Sequence, residues 1–144
     1  MTESRHLSVH IDRPVTEVYA FASDPANLPR WAPGLGSAIT RVGDSWVVET
    51  SEGQVHLTFA PHNQYGVLDH HVVTPSGENV YVPLRALADG DATEVVFTLR
   101  RGPGMTDDEL ERDAALVAAD LARLRSVLEG ARVGSSEDVR DRDA

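Results

Sequence analysis

The chain has six histidines, two tryptophans and no cysteine, and one histidine stands apart by its place. His70 lies in a segment, residues 67–73, that alternates as a strand does, on the same side as Leu68 and Val72. An imidazole titrates near neutrality, so on an apolar face it can hold a ligand by a hydrogen bond or move a proton as a general acid or base. The plain alternative is a core histidine satisfied by a neighbouring hydroxyl or backbone group. No carboxylate or nucleophile reads onto the same face, which leaves His70 a weak catalytic candidate and no catalytic residue assignable. His71 follows directly, but adjacent strand residues point to opposite faces, so the two rings cannot share a metal.

Other chemistry is excluded more simply. No H-x-H or H-E-x-x-H spacing occurs, and the absence of cysteine removes thiolate sites, so neither metal nor cofactor is expected. All 13 basic residues are Arg, which removes Schiff-base and lysine general-base mechanisms. Gly34-Leu35-Gly36 is too short for a dinucleotide loop, and Ser76 in Pro75-Ser76-Gly77 is a turn residue rather than a nucleophile. Asp69 and Arg85 read as an exposed cross-strand pair of little energetic worth.

The elements that must position His70 follow from periodicity. Residues 6–12 alternate around Leu7, Val9 and Ile11, a half-buried strand. Pro14 suits the first turn of a helix, and Val15, Val18, Tyr19 and Ala22 give that helix an apolar stripe. Asp24-Pro25 interrupts it, and a second short helix or turn follows to Trp31. Residues 37–42 are a weak strand. Residues 46–50 and 55–60 flank Ser51-Glu52-Gly53 as a hairpin, and residues 67–73 and 79–86 flank Thr74-Pro75-Ser76-Gly77 as another. Pro83 lies inside that last strand and requires an edge or a bulge. Residues 94–100 form a further strand. Thr106 and Glu109 make a capping box. Leu110, Ala114, Val117, Leu121, Leu124 and Leu128 then step by three and four along one long helix, which ends at Gly130 as C-cap. One domain over residues 1–130 is expected, with a disordered tail over 131–144.

Hairpin register assigns the faces. Trp46, Val48, Leu57, Phe59, His70, Val82, Leu84 and Phe97 fall on one continuous apolar face, in which His70 is the single strongly polar member. With Trp31, and with Leu121 and Leu124 from the helix, they are the candidate ligand pocket. A one-residue slip would exchange His70 for His71.

Composition bounds the rest. A chain of 144 residues with 41% hydrophobic and 25% charged residues can bury an ordinary core as one domain. Its net charge of −10 provides no footprint for nucleic acid or an anionic membrane. Much of the acidity clusters at Asp107, Asp108, Glu109, Glu111 and Asp113, where it favours the positive end of the long helix. There is no apolar leader and no stretch long enough to span a membrane, so a cytoplasmic protein is expected.

The order strand, two short helices, six strands, long helix comes with Asp12-Arg13-Pro14-Val15-Thr16-Glu17-Val18-Tyr19 and Asp24-Pro25-Ala26-Asn27-Leu28-Pro29-Arg30-Trp31. Together these resemble the opening of the START/Bet v 1-like (SRPBCC) superfamily, in particular small bacterial proteins of the polyketide cyclase/dehydrase type. The resemblance covers residues 5–129. It implies an α+β helix-grip fold: a curved antiparallel sheet of about seven strands around the long C-terminal helix, with two short helices after the first strand and a cavity between sheet and helix. It does not imply an activity. The residues leave three functions open. The first is a binding module for a small hydrophobic or aromatic molecule, lipids included. The second is a cyclase- or dehydratase-like enzyme using the same cavity. The third is a non-enzymatic module for a protein partner. A cavity of several hundred Å3 with His70 inside it would favour the first two; one filled by side chains would favour the third. The strand over residues 34–42 could be an exposed edge that pairs with a second copy in a homodimer.

Overall fold

The computed structural model describes residues 3–32 and 38–134. The elements run β1 (Ser4–Ile11), α1 (Val15–Ala22), a 3-10 turn (Pro25–Asn27), α2 (Leu28–Trp31), β2 (Ile39–Val42), β3 (Ser45–Thr50), β4 (Gly53–Phe59), β5 (His70–Val73), β6 (Asn79–Val82), β7 (Leu84–Asp89), β8 (Ala92–Arg100) and α3 (Asp107–Gly134). All strand pairs are antiparallel, in one sheet ordered β1-β8-β7 and another ordered β2-β3-β4-β5-β6. This is the helix-grip arrangement, with eight strands rather than about seven.

The extra strand comes from Pro83. Residues 79–86 read as one strand, but Pro83 has no N–H to give a ladder. The chain breaks there into β6, which pairs with β5, and β7, which pairs with β8. Residues 66–68 close the seam between the sheets: Leu68 N–H donates to the Leu84 carbonyl at 2.8 Å, and Ala86 N–H donates to the Gly66 carbonyl at 2.9 Å. Gly66 sits at a φ of +74°, and a Cβ there would lie 2.1 Å from the Ala86 carbonyl oxygen. Only glycine permits that approach.

The long helix starts as its sequence specifies. Glu109 N–H donates to Thr106 Oγ1 at 3.1 Å, and Thr106 N–H donates to Glu109 Oε1 at 2.8 Å, a complete capping box. Its apolar stripe buries Leu110, Leu121, Leu124 and Leu128. The expected stop at Gly130 is not observed, and the helix continues to Gly134. Gly130 has ordinary helical handedness, outside the set of positive-φ glycines. A glycine inside a helix costs about 1 kcal/mol relative to alanine, which weakens the helix without ending it. Residues 135–144 of the expected tail, and Gly34-Leu35-Gly36, lie outside the described residues.

The core gathers Ile11 of β1, Val18 of α1, Leu57 of β4, Val95 of β8 and Leu124 of α3, each essentially inaccessible to solvent. It draws on α1, α3 and both sheets, and it borders the site described next.

Candidate functional site

The register places His70 opposite Phe59 on β4 and opposite Val82 on β6, with Val72 following it on the same side. The inward set is therefore the one containing His70, while His71 pairs with Tyr81 on the outer side at 4.9 Å between ring centroids. Between the inner face of this sheet, α2 and α3 lies a cavity of about 190 Å3. Leu57, Phe59, His70, Val82, Leu84 and Phe97 line it from the strands, Trp31 from α2 and Leu121 from α3. It is smaller than the several hundred Å3 that would favour a ligand site or an enzyme, but it is not filled by side chains.

Three residues of the expected pocket do not reach it. Trp46 and Val48 lie on β3, one strand further out, and pack into the hydrophobic core beside Leu57 and Val55. Leu124 is wholly buried in that core, one turn beyond Leu121. Five other residues complete the wall: Leu28, Ala32, Val72, Val117 and Asp120. Val72 follows from the two-residue strand period, and Val117 from its place four residues before Leu121. Asp120 bears no apolar signature and directly precedes Leu121 on α3.

The polar groups of the wall are few. His70 Nδ1 lies 3.0 Å from the Leu68 carbonyl oxygen. A carbonyl only accepts, so Nδ1 carries the proton and donates. Nε2 has no hydrogen-bond partner among the described residues. The ring stacks at a tilt on Phe59, with centroids 5.0 Å apart. Burial lowers the His70 pKa below its ordinary value, against the smaller opposing pull of the Leu68 carbonyl and the Asp69 charge. The ring is therefore neutral at neutral pH, with Nε2 as an acceptor. Asp120 is half-buried, and burial raises its pKa although Arg123 Nη1 donates to it at 3.1 Å. Arg123 also donates to the Trp31 carbonyl at 3.3 Å, which ties α3 to α2 across one end of the cavity. Trp31 Nε1 is buried without an acceptor among the described residues, an arrangement that costs roughly 1–3 kcal/mol.

On the outer side, Asp69 and Arg85 are not the exposed pair the sequence suggested. The Asp69 side chain is 6% exposed and Arg85 47%. The carboxylate accepts from Leu84 N–H at 3.0 Å, from Arg85 Nε and Nη2 at 2.8 Å each, and from the Tyr81 hydroxyl. Arg85 above all holds the Asp69 pKa far below the usual carboxylate range, and burial opposes it. This cluster bridges the break at Pro83.

The sequence model of the polyketide cyclase / dehydrase and lipid transport family matches residues 3–129. The chain belongs to this family. Its fold is shared with known structures at low identity. DynU16, a protein of the dynemicin biosynthetic locus, is 22% identical with a TM-score of 0.67, over 95% of this chain and 51% of its own. This polyketide cyclase-like chain thus spans about half the length of DynU16. The Aha1 dimer from Colwellia psychrerythraea is 15% identical with a TM-score of 0.70, over 93% of this chain and 99% of its own. Ara h 8.0201 is 12% identical with a TM-score of 0.65, over 90% and 99% respectively. These likenesses establish the Bet v 1-like fold. No functionally curated protein gives a significant match. Among the described residues, no helix is long and apolar enough to cross a membrane.

Proposed function

We propose that this family member binds a small apolar or aromatic molecule in the cavity between its sheet and α3. The observation that carries the reading is an unfilled cavity whose walls are mostly apolar and aromatic, with only His70 and Asp120, among the described residues, as polar side chains in contact with it. Ligand sites have that composition, an apolar enclosure with a few placed polar groups. The size bounds the ligand. At about 190 Å3, the space is somewhat larger than the ~150 Å3 apolar cavity known to accept benzene, and below the roughly 300–1,000 Å3 of sites for drug-sized ligands. A substituted single ring fits that scale better than an extended polycycle.

Calorimetric titration of 4-ethylphenol into the full chain tests this. Saturable one-to-one binding is expected. Val117→Trp, on the partly buried rim of the cavity, should abolish it while the melting temperature stays close to that of the parent. Binding that survives this plug, or no binding to either protein, would overturn the reading.

One observation favours a second reading, a cyclase- or dehydratase-like enzyme. Asp120 contributes to the same cavity the carboxylate that the strand face lacks, and its raised pKa suits a group that holds and releases a proton. A substrate turned over by the parent chain and equally fast by His70→Ala would count against that reading.

A further inference from the structure

The proposed binding function leaves the ligand's polar chemistry open, and His70 narrows it. Its two ring nitrogens are in different states. Nδ1–H is committed to the Leu68 carbonyl at 3.0 Å, a contact within two residues of the same strand segment that fixes both the tautomer and the ring's orientation. Nε2 is then a lone-pair acceptor, and nothing among the described residues donates to it. The ring borders a cavity whose other walls are almost wholly apolar. The stack on Phe59 holds one face of the ring. His70 is only partly buried, so Nε2 remains accessible from the cavity, and an occupant with a matching donor can bond to it. Among the described residues, the single charged side chain lining the cavity, Asp120, is acidic, and its partner Arg123 is not among the lining residues. An anionic occupant would therefore meet an acceptor nitrogen, a carboxylate and apolar walls, with no cation lining the cavity among the described residues.

Resting on the binding function above, we infer that the cavity selects a neutral aromatic alcohol, whose hydroxyl donates its hydrogen to Nε2 of His70. The ring of the ligand replaces water against Phe97, Val82 and Leu121. The hydroxyl meets the one acceptor whose tautomer the fold has already set. A ligand of the same shape with methyl in place of hydroxyl fills the space but leaves Nε2 unmet, and the phenolate has no hydrogen to give.

A comparison of 4-ethylphenol with its near-isostere 4-ethyltoluene isolates that hydrogen bond. Both are titrated into the full chain and into His70→Phe. The preference for the hydroxyl ligand should be about fivefold greater in the parent than in the variant, the factor of one neutral hydrogen bond. Equal preferences in the two proteins, with both ligands binding, would leave the cavity reading standing and overturn the hydroxyl inference. If neither ligand binds either protein, the binding function itself falls and takes the inference with it. Should His70→Phe fail to fold, His70→Leu supplies the same comparison. The parent alone supplies a second readout with 4-nitrophenol at about pH 8, where the free ligand is largely phenolate. Bound ligand should keep the absorbance of the neutral phenol, because the cavity disfavours its charged form; a bound phenolate spectrum would contradict the inference.

Discussion

Asp69 and His70 follow one another in the chain, and their side chains leave the sheet on opposite sides. On the outer side, the Asp69 carboxylate gathers four hydrogen bonds from three neighbouring residues and is fully used by the protein. On the inner side, His70 spends one nitrogen on the Leu68 carbonyl and leaves the other free at a cavity wall. Asp69 is buried and His70 partly so, and both have a pKa below the ordinary value, but for opposite reasons. The positive charge and donors of Arg85 keep Asp69 ionised, while burial keeps His70 neutral. The contrast separates structure from function. A buried polar group whose partners all come from the chain is a fastening; the unmet acceptor beside an apolar cavity is the proposed contact for a ligand.

That difference can be broken at the fastening first. Asp69→Ala strands the Leu84 N–H and the Arg85 guanidinium at the seam between the sheets, and should cost about 3 kcal/mol, discounted for the half-exposed arginine. Thermal denaturation should show a fall on the order of 10 °C. A loss under about 1 kcal/mol would mean that the cluster is a surface pair after all.

Acid separates the two residues by range. The folded pKa of Asp69 is depressed, so its contribution is complete above the unfolded value, about pH 4, and is lost as pH falls below it. His70 also has a depressed folded pKa, so the unfolded chain takes up the proton first. Stability should therefore decline as pH falls below about 6.5, and His70→Phe should remove that part of the decline. Urea midpoints at about pH 7, 5.5 and 3.5 for the parent and His70→Phe would sharpen the assignment. An identical decline between pH 7 and 5.5 in the two proteins would contradict it.

Smaller effects come from the partners. Tyr81→Phe removes one donor to Asp69 and should cost about 1 kcal/mol, measurable as a shifted urea midpoint with unchanged slope. His70→Phe at pH 7 should move stability least, by under about 1 kcal/mol, because the new ring keeps the stack on Phe59 and lacks only the bond to Leu68. A large loss there would make His70 a second fastening and erase the contrast.

How far the sequence carried differs between the same two sides. The inner face was legible because strand alternation and two hairpin turns fix register, and that register sets His70 against Phe59 and Val82. The capping box at Thr106 and Glu109 was equally plain, being a local pattern. The outer cluster was not: Pro83 announced an edge or a bulge, but strand periodicity does not tell that the break presents the Leu84 N–H to the Asp69 carboxylate and so buries it. Asp120 escaped for a related reason. A carboxylate beside an apolar stripe reads as solvated, and only the packing of α3 against α2 turns it toward the cavity. Trp46, Val48 and Leu124 were correctly apolar and inward, but alternation cannot distinguish a cavity wall from solid core.

In the proposed complex, His70 offers an unprotonated Nε2 to a donor on a small aromatic ligand. Nitrogen-15 NMR of the His70 ring at neutral pH, with and without 4-ethylphenol, tests it directly. The predicted result is a neutral ring protonated at Nδ1, whose bare Nε2 signal shifts on ligand addition while Nδ1 stays nearly still. A ring protonated at Nε2, or an Nε2 signal indifferent to saturating ligand, would rule out this hydrogen bond.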